Sequence, residues 1–282
     1  MPDAADQSLQ SLDFLVTRVP DWLAAVATRQ SRRAFDGTRL PGETLDTVSS
    51  ACERFNPYPD ARVVLVREPA TDIFRGAIGS YGKVKGAPHV LVFIGDGRSP
   101  LADQHIGYAG EGVVLEAAAL GLDTCWVAGF FDPKAAAQLV TLSPGERIYA
   151  VSPLGHSPET ISLAERGMRS MAGAHKRKVL ATIAPGAGAA EGWPQWARAA
   201  VETARLAPSA VNRQPWRFRM EDGALVISKD GAAEMPKVTK RLDCGIAMLH
   251  AEIGARASGV SGRWTDMAEG LDVARFVPAE SR

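Results

Sequence analysis

Residues Ala204–Phe218 read ARLAPSAVNRQPWRF. Ala204, Leu206 and Ala207 close an apolar helical pattern that begins near Trp196. Pro208 ends it, because proline has no amide proton for the helix ladder and disfavours helical geometry in the residue before it. Small or polar residues follow: Ser209, Ala210, Asn212 and Gln214. Pro215 forces an extended step, and Trp216–Arg217–Phe218 alternates like the start of a strand. The stretch predicts a helix-to-strand turn carrying a hydroxyl, two amides and little bulk. Such a surface hydrogen-bonds the edge of a flat polar ring while packing against its face.

Working outward, the 282 residues are 46% hydrophobic, enough for one large domain or two small ones. The 32 basic and 32 acidic residues cancel, so no global field points to nucleic acid or an anionic membrane, and cationic function has to come from local clusters. Cys52, Cys125 and Cys244 are far apart and odd in number, which suggests neither a disulfide framework nor a metal site. Reduced, cytoplasmic residence is the default for such a chain. The start, MPDAADQSLQS, is polar and lacks the apolar region of a signal peptide. No apolar run approaches the roughly 20 residues needed to span a bilayer.

Residues 1 to about 11 read as a frayed tail. Phe14–Thr28 reads as a helix with Trp22, Leu23 and Val26 on one face, and Pro20–Asp21 suits a helix start. It runs into Arg29-Gln-Ser-Arg-Arg-Ala-Phe35, with three arginines and a serine within five residues. By itself such a run is a solvated basic helix end; alternatively it is a phosphate clamp, with forked guanidinium groups and the Ser31 hydroxyl as donors. A helix from Leu40-Pro41 to about Glu53, a buried-type strand Arg62–Arg67, a helix Ile73–Tyr81, the loop Gly82–Gly86 and an apolar strand Ala87–Ile94 follow. His89, alone at the start of that strand, reads as structural.

Leu101–Leu120 is a long helix whose small residues Gly107, Ala109, Gly110 and Gly112 permit close approach by another backbone or a ring, and Gly121 caps it. Asp123–Ala128 reads as extended, Gly129–Pro133 as a loop, Lys134–Val140 as a helix and Ile148–Ser152 as a strand. Glu165–Lys178 is a polar connector and Ala184–Gly192 a small-residue linker. The linker contains Gly-x-Gly, but no strand precedes it to make a dinucleotide-binding turn. Then come a helix Trp193–Leu206, the opening stretch, a strand pair about Asp222-Gly223 and a last helix Asp243–Ser258 with Asp243 as its N-cap. Trp22, Trp193, Trp196 and Trp264 read as core or interface residues, and Cys125 as a buried small hydrophobe.

The chain also matches itself. A shift of 138 residues aligns Gly107 with Gly245, Ala109 with Ala247, Ala117 with Ala255, Ala119 with Ala257, Gly121 with Gly259 and Trp126 with Trp264. A shift of 153 aligns Pro41 with Pro194, Val48 with Val201 and Ala51 with Ala204. Two ordered blocks of identities make chance similarity between alanine-rich helices the weaker explanation. The halves differ: the first has the cationic arm but only Arg54-Phe-Asn-Pro-Tyr-Pro where the turn belongs, and the second has the turn without the arm.

Two motifs, Arg29-x-Ser31-x-Arg33-x-Phe35 and Ala207-Pro-Ser-Ala-Val-Asn212-Arg-Gln214-Pro-Trp216-Arg-Phe218, resemble the flavin-dependent nitroreductase family. The second is long and specific. Gly86-Ala-Pro-His-Val-Leu-Val-Phe93 and the two helix-to-Trp segments add to the match, and Pro153-Leu-Gly155 and Arg177-Lys178 add less. The resemblance covers most of residues 22–270. It implies an α+β, nitroreductase-like fold of antiparallel sheets flanked by helices. Members of that family are typically homodimers with FMN at the interface, one subunit supplying the phosphate arm and the other the small-polar turn. This chain is similar to the tandem type, in which two related halves form an intrachain pseudo-dimer: residues 12–183 carry the arm and the shorter residues 193–282 carry the turn. One composite site and one degraded twin are then expected.

By that resemblance, Arg29, Ser31 and Arg33, with Gln30 in the same run, hold the FMN phosphate, assisted by Arg177. Pro208, Ser209, Ala210, Asn212 and Gln214 line the flavin ring. Lys83, or alternatively Lys85, approaches its pyrimidine end, and the Gly129–Phe130 loop offers a backbone N–H to the flavin N5. No catalytic side-chain acid or base is expected, since the cofactor carries the hydride chemistry. The implied activity is ping-pong reduction of a nitroaromatic, quinone or similar acceptor by NAD(P)H, in a monomer or weak oligomer without nucleic-acid or membrane partners. Two alternatives stay open: an FMN-binding protein with little or no turnover, and a flavin-free scaffold or interaction protein.

Overall fold

Alternating apolar residues and tight turns build two four-stranded sheets, each wrapped by helices. The computed structural model describes residues 4–69, 73–74, 84–158, 176–187, 192–235 and 238–279. In chain order the elements are α1 (Ala4–Thr28), α2 (Gly42–Arg54), β1 (Ala61–Val66), β2 (His89–Asp96), α3 (Ala102–Ala119), β3 (Asp123–Thr124), α4 (Pro133–Ala137), β4 (Glu146–Gly155), α5 (Leu180–Ile183), α6 (Gln195–Ala204), β5 (Trp216–Glu221), β6 (Ala224–Lys229), α7 (Lys240–Ala257), β7 (Gly262–Asp266) and β8 (Asp272–Pro278). The first sheet runs β1-β2-β4-β3 and the second β5-β6-β8-β7, with every pairing antiparallel. In both, the pairing of the two central strands carries a register shift, at Phe93/Ile94 and at Ile227/Ser228. The result is the α+β arrangement of antiparallel sheets and flanking helices that the sequence implied.

The centre is the packing of α3 on α7. Both helices are buried nearly all round, as their small and apolar residues require. Gly107 and Gly245 make the approach possible. A methyl group on Gly107 would run into the Leu242 carbonyl oxygen, and one on Gly245 into the Gln104 carbonyl oxygen. On the other faces of α3, Gly110 admits the rings of Phe93 and Trp126, and Gly112 those of Phe55 and Trp22. One continuous core joins Trp22, Phe55 and Phe93 to Trp216, Phe218 and Phe276.

Several local expectations change. The N-terminal tail is helical from Ala4, because the buried Ser11 hydroxyl donates to the carbonyls of Gln7 and Arg54 and accepts from the Asn56 amide, fastening α1 to the end of α2. Pro20 lies inside α1, on its exposed side, where a carbonyl without a ladder donor meets water. Strand β1 is an edge strand, half-buried, rather than buried on both faces. Only Asp123–Thr124 of the extended run joins the ladder as β3, and Val127 pairs on its own with Val151. Helix α4 stops at Ala137. Thr239, not Asp243, caps α7, its hydroxyl accepting from the Leu242 amide. Strands β7 and β8 had no counterpart in the sequence reading: β7 is an edge strand of intermediate and exposed residues whose composition resembles a loop. His89 is structural, its Nε2 accepting from the Leu40 amide. The expected helix Ile73–Tyr81 and most of the connector Glu165–Lys178 lie outside the described residues, apart from Ile73, Phe74 and residues 176–178.

Candidate functional site

The cationic arm is extended. Arg32 donates its amide to the Thr124 carbonyl, Lys85 donates to Arg33 and Phe35 donates to Lys85, so residues 31–35 thread between β3 and the segment leading to β2. Side chains of an extended segment alternate. Ser31 and Arg33 face one way, into a cavity, while the Arg32 guanidinium donates to the Pro158 carbonyl. Arg29 points inward, its side chain only 5% exposed and its Nε 3.9 Å from the Glu111 carboxylate of α3. The same carboxylate accepts from Trp126 Nε1 at 2.7 Å and pairs with His250 Nε2 of α7 at 2.9 Å. Arg29 Nη1 is buried with no hydrogen-bond partner among the described residues, a donor in a position to bind an anion.

The turn after α6 is a single 3-10 turn, Ala210–Asn212, in which Val211 and Asn212 are left-handed. Its amides do not face the cavity. Asn212 accepts from Arg177 Nη1 and donates to the Lys176 carbonyl; Gln214, almost fully buried, accepts from the Lys178 amide and donates to the Lys176 carbonyl. Both side chains stitch the turn to residues 176–178. The Ser209 hydroxyl accepts from the Gln214 amide, which leaves its own proton able to donate. Burial, followed by the neighbouring charges of Arg29 and Arg205, holds the Arg177 pKa below its usual value, as expected where cations gather in a partly dry site.

Arm and turn meet. A cavity with about 960 Å³ of atom-free space, including its open mouth, is walled by Ser31 and Arg33, by Val84, by Cys125–Phe130, by Pro208–Val211, by Met235 and Val238, and by Leu242, Asp243 and Ile246 of α7. Trp126 forms one wall, stacked on Phe93 with centroids 4.2 Å apart and 17° between planes. The lining is apolar except at the Ser31–Arg33 end, at Ser209 and at Asp243. Asp243 is 1% exposed; its Oδ1 accepts from the Ala210 amide at 3.0 Å and its Oδ2 from Arg213 Nε at 2.7 Å. Burial pushes its pKa up to about 6 against the opposing pull of Arg213.

A family model described as "Putative TM nitroreductase" matches residues 21–255, most of the chain. The chain belongs to that nitroreductase family. A crystal structure from Thermotoga maritima, described as that of a putative nitroreductase, is 20% identical and aligns over 90% of this chain and 92% of its own with a TM-score of 0.58, which shows the shared fold. An FMN-dependent nitroreductase from Clostridium difficile is 19% identical over 49% of this chain and 88% of its own, with a TM-score of 0.41. A nitroreductase with bound FMN from Bacteroides fragilis is 18% identical over 50% and 91%, with a TM-score of 0.40. Comparison with curated proteins gave no match. Among the described residues, no helix of this nitroreductase-family chain is long and apolar enough to cross a membrane.

Of the residues singled out in the sequence, Ser31, Arg33, Gly129, Phe130, Pro208, Ser209 and Ala210 line the one cavity. Arg29, Gln30, Arg177, Asn212 and Gln214 are not among the residues that line it. Lys83 lies outside the described residues, and Lys85 is exposed with its backbone engaged by the arm. Sequence reasoning missed Trp126, Met235, Val238 and Asp243 as cavity residues. Trp126 stood out only as part of the internal repeat, and Asp243, an acid in the first turn of α7, reads in sequence as a helix cap.

Proposed function

We propose that the protein is an FMN-dependent oxidoreductase that uses NAD(P)H to reduce a small aromatic acceptor, such as a nitroaromatic or a quinone, in ping-pong order. The observation that carries this reading is the meeting of Ser31 and Arg33 with Pro208–Val211 in one cavity, two segments from opposite ends of the sequence. The residues fit the cofactor. Arg33 and Ser31 line the cavity, and Arg29, four residues before Arg33, keeps a buried nitrogen without a partner among the described residues, a set suited to a phosphate. The rest of the lining, Trp126 and the turn residues among it, is largely apolar, with the Ser209 hydroxyl and the Gly129 backbone as polar groups for a ring edge. Arg177, Asn212 and Gln214 support the site indirectly, by fixing the turn. When bound, FMN supplies the hydride chemistry, taking two electrons from the nicotinamide and passing them to the acceptor.

We further infer that residues 12–183 and 193–282 are the halves of an intrachain pseudo-dimer with one working site. The identical strand orders, the matching register shifts and the reciprocal glycine contacts support this, since residue 107 meets 242 while 245 meets 104, as across a two-fold axis. The offsets that align the halves also carry Arg213 onto Asp60, Asp243 onto His105, Val211 onto Tyr58 and Ala128 onto Asp266. At the twin position Tyr58 stacks on His105, with centroids 3.8 Å apart and 4° between planes, and His105 bridges Asp60 and Asp266. Side chains fill that position.

An anaerobic absorbance spectrum of the purified protein with FMN, before and after NADH or NADPH, tests the reading. Bound flavin that bleaches on reduction is expected. Protein that neither retains nor takes up FMN overturns it, and bound flavin that neither nucleotide bleaches overturns the oxidoreductase part.

A further inference from the structure

The turn that lines the cavity has an unusual backbone. Val211, Asn212 and Gln214 have φ of 49°, 55° and 46°, three of the four described non-glycine residues in the left-handed region. For a β-branched residue such as Val211 this conformation is costly and persists only where the surroundings over-determine it. Besides the bonds of Asn212 and Gln214 to residues 176–178, one carboxylate holds the turn from the side of α7. Asp243 accepts the amide of Ala210, just before the left-handed pair, and the guanidinium of Arg213, just after it. Arg213 Nη2 in turn donates to the carbonyl of Val238, a cavity wall residue. Turn, wall and α7 therefore join at a buried side chain that itself lines the cavity.

The other half supplies a contrast. At the aligned positions the acid and the base are exchanged, with Asp60 facing His105, and there no residue between Arg54 and Asp60 is left-handed. The special turn accompanies the carboxylate on the helix and is missing where that carboxylate is replaced.

We propose that Asp243 is the positioning residue of this site: its ionised carboxylate holds Ala210 and Arg213 in the shape that grips the flavin ring, and flavin affinity falls when that carboxylate takes up a proton. This rests on the flavin reading above. The groups facing Asp243 are Arg213 from the turn, Glu234 from the segment before α7, and the uncharged thiol of Cys244 beside it on the helix. Burial raises the carboxyl to about 6, Arg213 and the Ala210 amide oppose the rise, and Glu234 adds to it. Above that pH the clamp is ionised and intact; below it, the ion pair with Arg213 is lost.

The test is the FMN dissociation constant of the full chain between pH 5 and 8, followed by flavin fluorescence, for the wild type, Asp243→Asn and Arg213→Gln. The FMN phosphate takes up its own second proton near pH ~6, a contribution common to all three proteins, so the differences between their profiles report Asp243. Between pH 7 and 5 the wild-type constant should rise up to about tenfold more than that of Asp243→Asn. Arg213→Gln should begin the same rise at higher pH, because loss of the cation raises the carboxyl further. A role confined to structure would lower the melting temperature without separating the profiles. Wild type and Asp243→Asn that bind FMN with the same pH dependence overturn the inference and leave the flavin reading standing. Should Asp243→Asn not fold, an Arg213→Gln profile superimposable on the wild type overturns it equally. Wild-type protein that binds no FMN at any pH defeats the flavin reading itself and this inference with it.

Discussion

Arg29 separates the two meanings of the cationic arm. A solvated helix end would leave its side chain in water; instead the guanidinium is buried beside Glu111 with one nitrogen unpartnered. We expect Arg29→Ala to weaken FMN binding about 10- to 100-fold, the range of one or two charge-assisted hydrogen bonds, while riboflavin, which lacks the phosphate, binds as to the wild type; parallel fluorescence titrations check this. His105 offers a second measurement. Burial lowers its pKa, but its bonds to Asp266 and Asp60 outweigh burial and raise it above 6.5. A raised histidine contributes stability that is fully present below its unfolded value and is lost as pH rises through the folded one. Urea midpoints should therefore fall as pH rises above 6.5 in the wild type, and His105→Gln should lose that slope. The His105 role was hidden in the sequence, because Asp60 and Asp266 reach it from far along the chain; the Arg29 role is the one the sequence motif implied.

At the scale of elements, α3 and α7 were legible from the small residues on one helix and their repeat on the other. The sequence also separated glycines that serve space from one that serves conformation, and the structure bears out both readings. Gly107 serves space: its methyl would strike backbone, which cannot swing away. Gly121 serves conformation, with φ of 75° and open space around it. Gly107→Ala should cost about 1–3 kcal/mol through overpacking, and Gly121→Ala about 1 kcal/mol through the left-handed backbone alone. Chemical denaturation of the two variants distinguishes them, and only Gly107→Ala should disturb the α3–α7 contact enough to weaken FMN binding as well. The strand β7 escaped detection because it is five residues long and only Trp264, of its less exposed positions Gly262, Trp264 and Asp266, is a large apolar residue.

For the whole molecule, the core that crosses from Trp22 and Phe93 to Trp216 and Phe276 leaves neither half a hydrophobic face of its own to close. Unfolding in urea should then be a single transition, with far-UV circular dichroism and tryptophan fluorescence superimposed. Residues 193–282 expressed alone should not fold. On the pseudo-dimer proposed above, in which the stacked Tyr58 and His105 take the place of a second site, saturation with FMN should reach one flavin per chain rather than two; a second equivalent, seen by equilibrium dialysis, would contradict the single composite site.

The sequence by itself determined the secondary elements with strong periodicity, the duplicated helix-to-Trp segments, the family resemblance and the two motifs now found on one cavity. Local patterns carry these, because helix and strand periods and turn chemistry depend on near neighbours in the chain. Only the tertiary structure decided that Asn212 and Gln214 bind residues 176–178 rather than face the cavity, that Arg29 is buried beside Glu111, and that Asp243 clamps the turn. A hydrogen-bonding side chain is equally able to serve a ligand or a distant backbone group, and the choice is made by what packing brings within 3 Å of it.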